Sequence, residues 1–238
     1  MLILLTLFLL VVGFINLHGY KLLHFMNKIN APFITKKEIH DNNYAWRHTL
    51  RDNYKVIRQE YADFRNLQVR FRDIDPMQIN YDTGDEKWLV IILKQYGTYT
   101  RNIDYFPDTY NLIKDIPGCI TAMFSAIEPN KCIPPHVGSY NGVLRYHLAL
   151  ITDPLDYEQC YIIVGKYKYA WRAGEDILFD NMFLHFVQNK TNTIRVVLFL
   201  DILREFDNAF IMFLNKTFIK SKKEILHNIN HPPIEDIK

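Results

Sequence analysis

Beyond Trp88 the chain is written in short apolar runs, each cut by Gly, Pro, Asn or Asp before it can reach helix length. Runs at 88–93, 122–127, 143–151, 161–164, 177–180 and 195–202 have the length and composition of strands. Many short strands at close spacing predict a sandwich or barrel, because a βαβ fold would need a helical period between successive runs. An aromatic share of 14% fits a strand-rich core. With 238 residues, 49% hydrophobic and 23% charged, the chain can bury one substantial core and is not disordered. Its net charge of +2 argues against a nucleic-acid binder that works through electrostatics. The three cysteines, Cys119, Cys132 and Cys160, never approach C-x-x-C spacing, so neither a disulfide framework nor a structural zinc site is expected.

The two ends differ from this body. No Asp, Glu, Lys or Arg occurs before Lys21. About 20 apolar residues would cross a hydrocarbon core, and the stretch lacks the basic start and small-residue exit of a signal peptide. An uncleaved transmembrane helix is therefore expected. Lys21, Lys28, Lys36 and Lys37 follow it and favour a cytoplasmic body. Leu50, Tyr54, Ile57, Tyr61 and Phe64 then recur at helical spacing and predict one packing helix. Phe206, Phe210, Phe213, Leu214 and Phe218 predict another, with a loose tail from Ser221. The expected division is an anchor at 1–20, a linker and helical cover at 21–79, a β core at 80–204, and a helix and tail at 205–238. The N-x-T sequons at Asn189 and Asn215 read as accidents of composition.

Strand alternation sorts the polar residues of the core. Within 143–151, Leu144, Tyr146, Leu148 and Leu150 share one face, while Arg145 and His147 share the other. Within 195–202, Arg195 points with Val197 and Phe199. A charge among apolar neighbours is costly unless paired, so two such arginines suggest a buried anionic partner. The competing reading has them reach solvent or an internal carboxylate such as Asp180. His136 and His185 stand 49 residues apart, in strand-flanking positions that suit two facing strands. Imidazole is a common metal ligand, but spacing alone does not choose between ligand and ordinary histidine.

Three segments taken together resemble one family. H-x-G-x-x-N-G-V-L-R-Y-H-L begins at His136, W-R-x-G-E-x-x-x-F-D-x-x-x-x-H ends at His185, and N-x-T-x-x-x-R-V-V-L-F-L-D contains Arg195. This order is similar to the aspartyl/asparaginyl β-hydroxylases, and the resemblance covers roughly half the chain, from about Trp88 to Arg204. It implies a double-stranded β-helix (jelly roll) with flanking helices, and an Fe(II)- and 2-oxoglutarate-dependent dioxygenase that uses O2. On that resemblance His136 and His185 are the iron ligands and Arg195 pairs with the distal carboxylate of 2-oxoglutarate. Ser125, Arg145 and His147 are further co-substrate contacts, and Trp88 lines the same pocket. Trp171, Gly174 and Glu175 are expected to build the turn leading toward His185.

Position 138 is Gly where many such oxygenases carry an acid. The resemblance connects Gly138 with the branch acting on Asp or Asn side chains, whose β-carbon is the expected substrate. The apolar N-terminus and helical tail resemble the branch acting on lipid acyl chains, the alternative substrate. Two further alternatives are a membrane-tethered jelly roll that binds without catalysis, which intact His136, His185 and Arg195 oppose, and a zinc hydrolase, which would want a third ligand and a general base.

Overall fold

The computed structural model describes residues 19–74 and 87–228. Its body is two antiparallel sheets. Chain order gives β1 Val69–Arg70, β2 Trp88–Gln95, β3 Thr98–Tyr99, β4 Cys119–Ile127, β5 Lys131–His136 and β6 Val143–Ile151. There follow β7 Cys160–Val164, β8 Tyr167–Ala170, β9 Asp176–Phe179, β10 His185–Asn189 and β11 Arg195–Leu203. The larger sheet runs β1-β2-β4-β11-β6-β9, with β3 beside β2, and the smaller runs β5-β10-β7-β8. From β4 onward the chain passes back and forth between the sheets in the manner of a jelly roll, with β7 and β8 a hairpin within the smaller one, which is the architecture expected.

The alternation expected from sequence is what builds the layers. Leu144, Tyr146, Leu148, Val196, Leu198 and Leu200 turn outward from the larger sheet. Helices α2 (Ala45–Asp52), α3 (Tyr54–Asp63) and α5 (Pro107–Ile113) cover that face through Leu50, Ile57, Tyr61 and Ile113. On the inner face Ala149, Val197 and Phe199 meet Ile133, Ile162, Val164 and Val187 of the smaller sheet. The site occupies this inner layer.

The helix expected across Leu50–Phe64 is two helices. Asn53 breaks it at φ −104° and ψ 11°, with its side chain donating to the Thr49 carbonyl at 2.8 Å. Asn offers the backbone that local alternative to helix continuation. The break keeps both pieces on one face, so the apolar spacing survives it. A short α4 (Phe71–Ile74) follows β1. Two more helices form a separate cluster at one end. In it α1 (Gly19–Asn30) packs beside α6 (Ala209–Asn228), sharing Leu22, Met26, Leu214 and Phe218 with Tyr140 and Val143. The tail expected to be loose from Ser221 is helical as far as Asn228.

The expected transmembrane helix falls outside the described residues, except for Gly19 and Tyr20, which open α1. Among the described residues no helix is long and apolar enough to cross a membrane. The sequon asparagines Asn189 and Asn215 are fully buried, and Asn189 donates to the Ile127 and Thr193 carbonyls. Neither can present its amide to a glycan transferase.

Candidate active site

His136 closes β5 and His185 opens β10, and the two pair directly across those strands. Their rings lie 4.2 Å apart between centroids. Each Nδ1 sits 2.8 Å from the carbonyl two residues earlier, Pro134 for His136 and Phe183 for His185. A carbonyl only accepts, so each Nδ1 must donate, which puts both rings in the tautomer whose Nε2 carries the lone pair a metal could use. Burial, then the neighbouring His136, pulls the His185 pKa down to about 3, and burial lowers that of His136 as well. Both rings are therefore neutral near pH 7, the form a metal requires. Among the described residues no group of three His, Cys, Asp or Glu is placed to hold a metal.

Gly138 explains part of this. A Cβ at that position would lie 2.4 Å from Asn181 Nδ2 and 2.5 Å from Asn181 Cγ. The Gly138 amide also donates to the Asn181 carbonyl at 2.6 Å. The space a side chain at 138 would enter is filled by Asn181, whose own Oδ1 is buried without a hydrogen-bond partner.

Deeper in the barrel lies Arg195, at the far end of β11 from the histidines and only 2% exposed. Its guanidinium stacks 4.5 Å above the Trp171 ring. It donates to the Cys160 sulfur and, weakly at 3.5 Å, to the Ser125 carbonyl. Its Nε has no partner, and among the described residues no carboxylate pairs with it. Burial draws its pKa down to about 10. Beside it His147 is also buried with both ring nitrogens unpartnered, and the Trp171 Nε1 is a third orphan. Burial and then Arg195 hold the His147 pKa well below the ordinary histidine value. Native interiors rarely leave so many polar groups unsatisfied in one place. The cluster fits a small dianion: a buried cation and an indole N–H, with neutral His147 able to donate.

Ser125 and Trp88 support this pocket. The Trp88 indole donates to Ser125 Oγ at 3.1 Å, while its ring packs 4.2 Å from Phe71. Arg145 stands apart. It lies nearer the mouth, paired with Asp201 at 3.0 Å and stacked 4.4 Å over Phe199. Of the two inward arginines, one has its carboxylate already and the other does not. Gly174 does build the expected turn, with φ +88° and its amide donating to the Ala149 carbonyl at 2.8 Å. Trp171, expected in the same turn, instead lies wholly inside the barrel beneath Arg195.

A jelly roll with a clamped histidine pair above a buried arginine that no described carboxylate neutralises defines a class of β-barrel whose polar groups are gathered inside the barrel. The chain belongs to the Aspartyl/Asparaginyl beta-hydroxylase family, whose model matches residues 51–205. It is 36% identical over 165 residues to an ornithine lipid ester-linked acyl 2-hydroxylase of Rhizobium tropici, covering 68% of this chain and 58% of that protein. It is 30% identical over 145 residues to the human aspartate beta-hydroxylase domain-containing protein 2, covering 57% of this chain and 37% of that one. Human aspartyl/asparaginyl beta-hydroxylase is 28% identical over 161 residues, covering 65% of this chain and 20% of that protein. The chain thus spans less than two thirds of the length of each of these relatives.

Proposed function

We propose that this protein is an Fe(II)- and 2-oxoglutarate-dependent dioxygenase that hydroxylates an unactivated C–H bond of a lipid acyl chain. The observation that carries the chemistry is the unneutralised Arg195 buried beneath the histidine pair. When bound, iron with O2 and 2-oxoglutarate supplies the oxidising power, 2-oxoglutarate leaving as succinate and CO2 as the C–H becomes C–OH. His136 and His185 hold the metal through Nε2, each oriented by its backbone carbonyl. Arg195 and Trp171 fix the distal carboxylate, with His147 beside them. The inward rings of Phe179 and Phe199 keep water from this layer. The family match and the hydroxylase relatives support an enzyme; the metal and co-substrate are what the family resemblance implies, and the histidine pair and Arg195 are consistent with them.

Gly138 placed an Asp or Asn side chain first among expected substrates. That residue bears on how the metal is held, whereas the surface around the mouth bears on what approaches it. Val137, next to His136, is 47% exposed, and Leu184, next to His185, is 59% exposed. An apolar rim suits an acyl chain better than a polar side chain, and the 36%-identical relative is named for acting on a lipid acyl group.

The test supplies Fe(II) and 2-oxoglutarate to the full chain together with membranes and candidate proteins. Succinate is measured, and mass spectrometry seeks a product heavier by one oxygen atom. Succinate with an oxygenated lipid is expected. An oxygenated protein and unmodified lipid would overturn the substrate, and absence of succinate with every substrate would overturn the chemistry.

A further inference from the structure

Two helices meet beside the mouth. The segment between β5 and β6, which runs on from His136, is held by asparagines from both. From α1, Asn27 accepts from the Asn141 amide at 2.9 Å and donates to the Ser139 carbonyl at 2.9 Å, and Asn30 donates to Asn141 Oδ1 at 3.1 Å. From α6, Asn215 accepts from the Tyr140 hydroxyl and donates to the Gly142 carbonyl at 2.9 Å. The loop carrying Gly138 is thus bound to α1 and α6 rather than to the barrel alone.

The outward sides of these helices are not ordinary solvated faces. Phe25 on α1, Phe33 just after it, and Phe210 and Phe213 on α6 are each at least 39% exposed. Exposed lysines accompany them: Lys28 and Lys36 in one stretch, Lys216 and Lys220 in the other, while Lys37 is paired with Asp41. No acid occurs between Met1 and Lys37, nor between Phe210 and Lys223. Exposed phenylalanines would cost solubility without a partner, and lysines with long apolar stems can lie beside them while keeping their charge in water. Aromatic and basic residues together on a helix face suit the headgroup boundary of an anionic bilayer, to which each lysine near the surface adds attraction. The chain preceding α1, outside the described residues, is apolar in sequence and carries no Asp, Glu, Lys or Arg before Lys21, so it delivers α1 from a stretch of matching chemistry.

We infer that the outward faces of α1 and α6 form a docking surface for an anionic lipid bilayer, laying the apolar rim of Val137 and Leu184 against the acyl chains. The inference rests on the acyl-hydroxylase reading of the same mouth, and it assigns the two helices as the elements that set the site's height on the membrane.

The experiment uses the full chain in vesicles of phosphatidylcholine and phosphatidylglycerol, with or without brominated acyl chains. Three variants each add one tryptophan: Phe33→Trp, Phe213→Trp and Leu155→Trp. Leu155 is 86% exposed just beyond the end of β6 remote from the mouth. Emission is read as a difference from the unsubstituted chain, so Trp46, Trp88 and Trp171 contribute equally to all. Burial of a ring at the acyl boundary should cost Phe33→Trp and Phe213→Trp roughly half their added emission in brominated vesicles, with Leu155→Trp unchanged. Equal quenching at all three positions, or none, would overturn the docking surface. So would a concentration-dependent shift of Phe213→Trp emission without vesicles, which would mean a second copy covers the face. Binding of Mn(II) with 2-oxoglutarate is measured on the same samples. Its persistence without quenching would defeat the docking surface and leave the enzyme reading intact, while quenching without it would do the reverse.

Discussion

Replacing Arg195 by Met separates a ligand-binding arginine from a structural one, because the two roles predict opposite signs. This guanidinium is 2% exposed, faces no carboxylate among the described residues, and leaves its Nε unbonded. Burial pulls its pKa down to about 10, a displacement worth about 3 kcal/mol against the charged form. Against that cost stand the stacking on Trp171, about 2 kcal/mol, and two weak hydrogen bonds, to the Cys160 sulfur and the Ser125 carbonyl, together about 1 kcal/mol. The two sides nearly cancel. Met fills similar space without a charge, and replacing buried charge by packed apolar atoms is often neutral or stabilising by about 1–4 kcal/mol. The metal-free variant should therefore melt at the same temperature as the parent or a few degrees higher, by roughly 2–4 °C for each kcal/mol gained. Its affinity for 2-oxoglutarate should fall about a hundredfold, the loss of a charge-assisted pair worth about 3 kcal/mol. Thermal melting without ligand and calorimetric titration with Mn(II) and 2-oxoglutarate give the two numbers. A clear drop in melting temperature with unchanged co-substrate affinity would refute the reasoning.

Other substitutions test the rest of the site. His185→Ala should abolish detectable Mn(II) binding by calorimetry while leaving the far-ultraviolet circular dichroism of the fold unchanged. Trp171→Leu removes the stacking partner of Arg195 and an indole donor, and should weaken 2-oxoglutarate about tenfold without affecting the metal. Gly138→Asp must displace Asn181, costing about 1–3 kcal/mol in melting experiments and lowering succinate output, and Gly138→Asp with Asn181→Ala should recover that stability. The pH dependence follows from His136, His147 and His185, whose folded pKa values are all depressed, that of His185 to about 3. Above the unfolded value near 6.5 both states are neutral and stability is full. As pH falls below it only the unfolded chain takes up protons, so the metal-free protein should lose stability steadily from about pH 6.5 downward. Denaturant titrations at a series of pH values check this, and stability rising on acidification in that range would contradict it.

What could be read from sequence was whatever rests on period. The strand over 143–151 and the inward or outward turn of its residues need only a two-residue alternation, and the structure matches them residue by residue. The smaller sheet was far less legible. Its edge strands β5 and β8 read as loop because one contains Pro134 and Pro135 and the other is polar. Edge strands tolerate both, having one side with no ladder to complete. Partnership was not legible either. Asp201 neutralises Arg145 because strand register sets them opposite each other across β11 and β6. A single sequence shows two inward arginines and gives no means of telling which is already paired. Trp171 was missed for a related reason: beside a Gly-Glu turn it looks like turn scaffolding, and only the folded chain puts its face under a cation.

Asymmetry between the two arginines also bears on how such a site stays ready for a ligand. A pocket with both cations paired internally would have to break an ion pair before taking up a dianion, and that cost would weaken binding. One with neither paired would hold two uncompensated charges in its core, a burden too large for a domain of ordinary stability. Here the mouth carries the neutralised pair Arg145–Asp201 and the floor carries the cation left open. Stacking on Trp171 offsets part of the cost of keeping Arg195 charged and dry without occupying the hydrogen bonds a carboxylate would use. The same logic extends to His147: if it were charged it would repel the arginine beside it, and neutral it can donate to the ligand's second oxygen. The floor of the barrel thus holds its one open cation at a cost that stacking on Trp171 and weak hydrogen bonds nearly offset.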